Sequence, residues 1–156
     1  RCVIGRGSHI VAHCDIKIGD DVWTGPYVYI TDQNHGYEDP DTPIGRQMPV
    51  NTPVEIGAGT WLGTGAIVLP GARIGRNVVV AGGSVVRGEV PDYCVVAGVP
   101  AKVVRSRTEA GWVRPGGPAG ANGPAGANGA AEAGAADAGA GETGKSPQGD
   151  PRKAHI

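Results

Sequence analysis

The stretch IGAGTWLGTGAIVLPGARIGRNVVVAGGSV, Ile56–Val85, divides into five six-residue words: IGAGTW, LGTGAI, VLPGAR, IGRNVV and VAGGSV. The words open on Ile56, Leu62, Val68, Ile74 and Val80, and Val86 opens the next. Ile, Leu and Val supply 29 of the first 107 residues, so six in a row at this spacing has a chance frequency on the order of one in a few thousand. Fifth positions are Thr60, Ala66, Ala72, Val78 and Ser84, all small or β-branched. A helix would need apolar spacings of three and four. A period of six fits a short strand followed by a turn, with one large aliphatic residue and one small residue turned inward per word. Three such faces make one coil, and each coil buries its inner surface only against its neighbours, as in a solenoid. Gly at second positions 57, 63 and 75 is read as supplying the positive φ that tight turns use.

The pattern extends outward to the N-terminal side. Words begin at Ile4 and Ile10 and, after a slip of two residues, at Ile18, Thr24 and Ile30. The rhythm then breaks at ITDQNHGYEDPDTPIGRQMPVN, Ile30–Asn51, and restarts at Val54. The interruption, residues 31–53, is polar and carries Asp32, Glu38, Asp39 and Asp41, with prolines at 40, 43, 49 and 53. A solenoid has flat faces and no pocket, so a long loop thrown out of one coil is where a cleft is expected. The prolines limit its flexibility.

Composition agrees with many short strands: Phe is absent and Gly is abundant among the 156 residues. From Thr108 onward, 25 of 49 residues are Gly or Ala, which cannot build a core, so residues 1–107 are expected to fold and 108–156 to form a disordered tail. Gly recurs at 117, 120, 123, 126 and 129, but so short a collagen-like run reads as linker. The first 107 residues hold ten basic and ten acidic side chains and no basic stripe, which argues against a nucleic-acid partner. No apolar run approaches the ~18 residues of a membrane span. Cys2, Cys14 and Cys94 show no metal-ligand or redox spacing and read as small buried hydrophobes in a reducing cytoplasm.

The hexads, the stretch WLGTGAIVLPG (Trp61–Gly71) and the ending VPDYCVVAGVPAKVVR (Val90–Arg105) together resemble the hexapeptide-repeat acyltransferases, and most of all their maltose, galactoside and xenobiotic O-acetyltransferase branch. The resemblance covers about residues 3–105. It implies an all-β fold, a left-handed parallel β-helix, assembled as a homotrimer with active sites between subunits. It also implies acetyl transfer from acetyl-CoA to a hydroxyl of a sugar or similar acceptor, directly in a ternary complex and with no metal. The family places its catalytic histidine where His35 follows Asn34. The chemistry suits an imidazole, whose ordinary pKa of about 6.5 lets it accept the proton of an attacking hydroxyl at neutral pH. Asn34 and Asp32 are expected to set the loop turn or the histidine's tautomer. Asp32, Tyr37 and Trp61 are expected to contact the acceptor, with Trp23, Tyr27 and Tyr29 as alternatives equally suited to packing.

Matching motif to motif, Thr64 and Gly82 correspond to contacts along the pantetheine arm of the donor. Lys102 and Arg105 fall where the family keeps basic residues for the nucleotide phosphates. The family commonly has Thr-Lys after its GSVV segment, and here Arg87-Gly88 stands there. Arg87 can replace the charge but not the reach of the lysine. Two other readings remain: a β-helix scaffold without activity, and a zinc β-helix enzyme. The latter needs three histidines across an interface, and the spacing of His9, His13 and His35 does not resemble that pattern. His155 lies in the tail and is read as inert.

Overall fold

The computed structural model describes residues 1–117. Its strands stack into three parallel faces. Face 1 holds Trp23–Thr24, Trp61–Leu62, Val79–Val80 and Cys94–Gly98; face 2 holds His9–Val11, Tyr29–Thr31, Ile67–Val68 and Val85–Val86; face 3 holds Ile16–Ile18, Val54–Ile56, Arg73–Ile74 and Glu89–Val90. The chain visits the faces in the order 3, 1, 2 and rises one coil per circuit. This is the expected left-handed parallel β-helix.

The words stack first position on first position. Ile10, Ile30, Val68 and Val86 line up through face 2, Thr24, Leu62, Val80 and Val96 through face 1, and Ile18, Ile56, Ile74 and Val90 through face 3. Every first-position residue from Thr24 upward is buried, and so are Thr60, Ala66, Ala72, Val78 and Ser84 between them. The first described coil is open on one side: Ile4 and Ile10 are 44% and 42% exposed. Cys2 and Cys14 share that open coil and are exposed, which corrects the expectation that all three cysteines are buried. Cys94 alone is buried. Burial, together with the Asp92 carboxylate, holds its thiol above the usual range.

The role of glycine also differs from the expectation. Positive φ falls on the fourth position of each word, at Gly59, Gly65, Gly71, Asn77 and Gly83. The second-position glycines serve close approach instead. A Cβ on Gly57 would lie 2.5 Å from the Arg76 nitrogen, and one on Gly63 would lie 2.6 Å from the Gly82 nitrogen.

The folded part does not stop at 107. Ala101–Thr108 turns back antiparallel on Cys94–Gly98, and Gly111–Val113 pairs with it in turn, extending face 1. The boundary therefore moves past Val113, because Trp112 and Val113 give the strand partly buried side chains that the Gly- and Ala-rich composition conceals. The readings of the remaining tail and of His155 lie outside the described residues. No helix among the described residues is long and apolar enough to cross a membrane.

Candidate functional site

The interruption in the repeat is an ordered arm at the corner between faces 2 and 3. Gln33–His35 runs antiparallel to Pro49–Asn51, pairing Gln33 with Asn51, Asn34 with Val50 and His35 with Pro49. The tip turns through a short 3-10 segment, Ile44–Arg46. Gln47 wires this tip. Its Nε2 donates to the carbonyls of Asp39 at 2.9 Å and Thr42 at 2.8 Å, and its Oε1 accepts the Asp39 N–H at 3.2 Å. The Asp39 carboxylate accepts the Thr42 hydroxyl at 2.7 Å and the Asp41 N–H at 2.9 Å, and these bonds hold it below the usual carboxylate range.

His35 is exposed on this arm. Asn34 Oδ1 accepts its backbone N–H at 3.0 Å, so Asn34 acts on the backbone at His35. Among the described residues, His9, His13 and His35 do not gather into a group able to hold a metal. Tyr37, Ile44, Met48 and Val50 give the arm an exposed apolar surface; Met48 is 82% exposed.

Asp32 overturns an expectation. It does not face an acceptor, since it has no exposed surface. Its carboxylate accepts the N–H groups of His13 at 2.8 Å, Cys14 at 2.6 Å and Asp15 at 2.7 Å. Burial alone would raise its pKa, but these bonds outweigh burial and hold it below the usual range. The two extra residues of the first coil, visible in the sequence as a slip between Ile10 and Ile18, form the corner that wraps this carboxylate. That slip is the signal that could have found it.

The expected donor residues divide. Thr64 and Gly82 lie at the corner between faces 1 and 2 in successive coils, and the Gly83 N–H donates to the Thr64 carbonyl at 2.9 Å. A Cβ on Gly82 would stand 3.1 Å from that carbonyl oxygen. Both basic residues lie on the last strands of face 1: Lys102 is exposed and pairs in register with Ala97, toward that corner, whereas Arg105 pairs with Val95, in line with Val79 and Trp61 at the incoming end of the face. Arg87 is not brought there. It follows Val85–Val86 and lies at the corner between faces 2 and 3, two coils above the arm. Within one chain, His35 and the Thr64–Gly82 pair therefore flank opposite edges of face 2.

The outward residues of the faces differ. Face 1 presents Trp23, Trp61, Val79 and Val95, with the tryptophans 58% and 46% exposed and in direct register. Face 2 presents His9, Tyr29, Ile67 and Val85. Face 3 carries the alternating ladder Lys17, Glu55, Arg73, Glu89. A surface hollow of about 530 Å³ is lined by Glu55, Arg73 and Glu89 on face 3, away from the arm. It is an open concavity along that ladder and has no part in the site.

Known proteins agree with this architecture. Residues 53–88 match the family model described as bacterial transferase hexapeptide (six repeats). The chain is 43% identical over 107 residues to a probable acetyltransferase of Mycobacterium tuberculosis (strain ATCC 25618 / H37Rv), covering 69% of this chain and 36% of that protein. It is similar to the crystal structure of a maltose O-acetyltransferase from Clostridium difficile 630, at 32% identity and a TM-score of 0.56, covering 70% of this chain and 64% of that one. A galactoside acetyltransferase in complex with coenzyme A is also similar, at 25% identity and a TM-score of 0.51, covering 67% of this chain and 64% of that one. The chain spans between 36% and 53% of the length of the first curated relatives it matches. Repeat, in-register coils and relatives converge: the chain belongs to the hexapeptide-repeat acetyltransferase family.

Proposed function

We propose that this protein transfers an acetyl group from acetyl-CoA to a hydroxyl of a sugar or similar small acceptor, with His35 as the general base. The observation that carries the reading is the arm itself: the one long break in the hexad ladder is an ordered hairpin that presents an exposed imidazole. His35 takes the acceptor's proton as its oxygen attacks the thioester carbonyl. A backbone N–H stabilises the resulting oxyanion. The tetrahedral intermediate then collapses, the carbon–sulfur bond breaks, and the imidazolium returns the proton to the leaving thiolate. No acyl-enzyme forms. The similar galactoside acetyltransferase, solved with coenzyme A, supports the donor, and that enzyme and the maltose O-acetyltransferase support a sugar acceptor.

The site is completed by a second copy. The apolar outward sides of faces 1 and 2 favour contact between copies, whereas the charged ladder of face 3 favours solvent. A copy packed on face 2 sets its own Thr64–Gly82 corner beside the first copy's His35, and a ring of three such contacts closes. Tyr37 and Trp61 then border the acceptor, and Lys102 and Arg105 meet the nucleotide phosphates.

The experiment is to mix the protein with acetyl-CoA and a panel of sugars, follow thiol release, and measure its mass in solution. Acceptor-dependent release from a trimer supports the reading. A stable trimer that releases no thiol with any acceptor points to a scaffold.

A further inference from the structure

The base of the arm is a junction of three coils. In the first coil, eight positions separate the ladder residues Ile10 and Ile18, whereas six separate Val68 and Ile74 at the same corner two coils above. The two extra residues let three successive backbone N–H groups, those of His13, Cys14 and Asp15, converge on one point. Such a concave run of N–H groups is an anion site. Here the protein fills it with its own Asp32 carboxylate. The backbone of Asp32 is engaged on its other side: its carbonyl accepts the Thr52 N–H at 2.7 Å, where the arm returns. The Thr52 carbonyl in turn accepts the Gly71 N–H at 3.1 Å from the corner of the coil above.

The exit and the return of the arm are thus tied to each other, to the coil below through a charged side chain, and to the coil above through the backbone. Charge-assisted bonds to backbone N–H are strong and geometrically demanding. No lysine or arginine pairs with Asp32 among the described ion pairs; only His13 Nδ1 approaches, at 4.0 Å. The buried charge is therefore held by backbone dipoles, and losing part of that set leaves unpaired buried groups.

We infer that Asp32 is a positioning residue: locked into the first-coil corner, it fixes the pivot from which His35, three residues further on, is presented to the acceptor. It does not touch substrate. Its effect passes through the placement of the arm, and a displacement of ~1 Å at a reacting group can cost about a hundredfold in rate. This inference rests on the reading of His35 as the base.

Asp32→Asn tests it, because an amide fits the space but replaces an acceptor with a donor facing N–H groups. The reporter of the arm is tryptic cleavage after the exposed Arg46, where the Gln47 N–H is tied to the Ile44 carbonyl at 3.1 Å, and it does not depend on activity. The expected result is cleavage about tenfold faster, a kcat lowered about ten- to hundredfold and a KM for acetyl-CoA within about twofold of the parent. Val78→Ala, a core truncation remote from the arm, is the control and leaves cleavage and kcat within about twofold. If the asparagine variant does not fold, Asp32→Ser replaces it, since a hydroxyl still accepts one N–H.

Parent-like cleavage or parent-like kcat in the Asp32 variant overturns the inference, as does an equal response from Val78→Ala. His35→Ala separates the two claims. It is expected to cut at the parent rate while losing transfer. If it keeps transfer, the base assignment and this positioning role fall together, whereas loss of transfer there with normal kcat in the Asp32 variant removes the positioning role alone.

Discussion

The coil and the arm obey different rules. In the coil each inward side chain rests on its equivalent one coil away, so Leu62 lies between Thr24 and Val80 and has no exposed surface. In the arm the large apolar side chains Tyr37, Ile44, Met48 and Val50 are exposed, and order comes from hydrogen bonds among neighbours such as Gln47, Asp39 and Thr42. The coil is held by burial repeated many times, and the arm by a few directional bonds at its tip and base. Changes in the coil should therefore register as stability, and changes in the arm as activity.

Excision of the arm tests that division with the largest effect. Joining Asp32 to Thr52 through two glycines in place of Gln33–Asn51 is geometrically open, because the Asp32 carbonyl already accepts the Thr52 N–H at 2.7 Å. The β-sheet circular dichroism and Tm are expected to stay within a few degrees of the parent, with acetyl transfer falling below detection. A collapse of the fold would mean that the arm is part of the core.

The same substitution in the two regions sharpens the contrast. Gly57→Ala drives a Cβ to within 2.5 Å of Arg76 backbone and 2.6 Å of the Gly75 carbonyl oxygen, so two coils must part. Denaturant unfolding should show a loss of about 1–3 kcal/mol, the usual cost of overpacking. Gly45→Ala meets no atom within 4 Å on the arm and should change stability by less than about 0.5 kcal/mol. Smaller still, and confined to one kinetic constant, is the effect expected at the end of face 1. Lys102→Ala with Arg105→Ala should raise the KM for acetyl-CoA several-fold at constant Tm and leave the acceptor KM near the parent value. Equal shifts in both constants would detach these residues from the donor.

The coil is legible in the sequence because its stabilising unit repeats. A buried aliphatic residue at Ile56, Leu62, Val68, Ile74, Val80 and Val86 is imposed by stacking, and stacking leaves a period in the sequence. The arm leaves none. Its position is readable as a break and His35 by resemblance, but the Gln47-wired tip depends on contacts among polar residues that any loop could contain. Asp32 is signalled only indirectly, by the two-residue slip between Ile10 and Ile18, since a polar residue in a polar stretch does not itself advertise burial. The second-position glycines look like turn formers, whereas the turns fall on Gly59, Gly65, Gly71, Asn77 and Gly83. A spacing identifies where small residues are required and does not distinguish a backbone angle from an approaching chain. The strand Gly111–Val113 is hidden by its place at the edge of a segment dominated by Gly and Ala.

The central claim is that a rigid coil carries an arm whose imidazole performs the proton transfer. Its most direct test is acceptor-dependent thiol release from acetyl-CoA by His35→Ala, measured beside the parent at matched oligomeric state and Tm. The account predicts a loss of about a hundred- to ten-thousandfold in kcat, the usual contribution of a general base, with the fold unchanged. Near-parent kcat from a folded, equally assembled variant would contradict it.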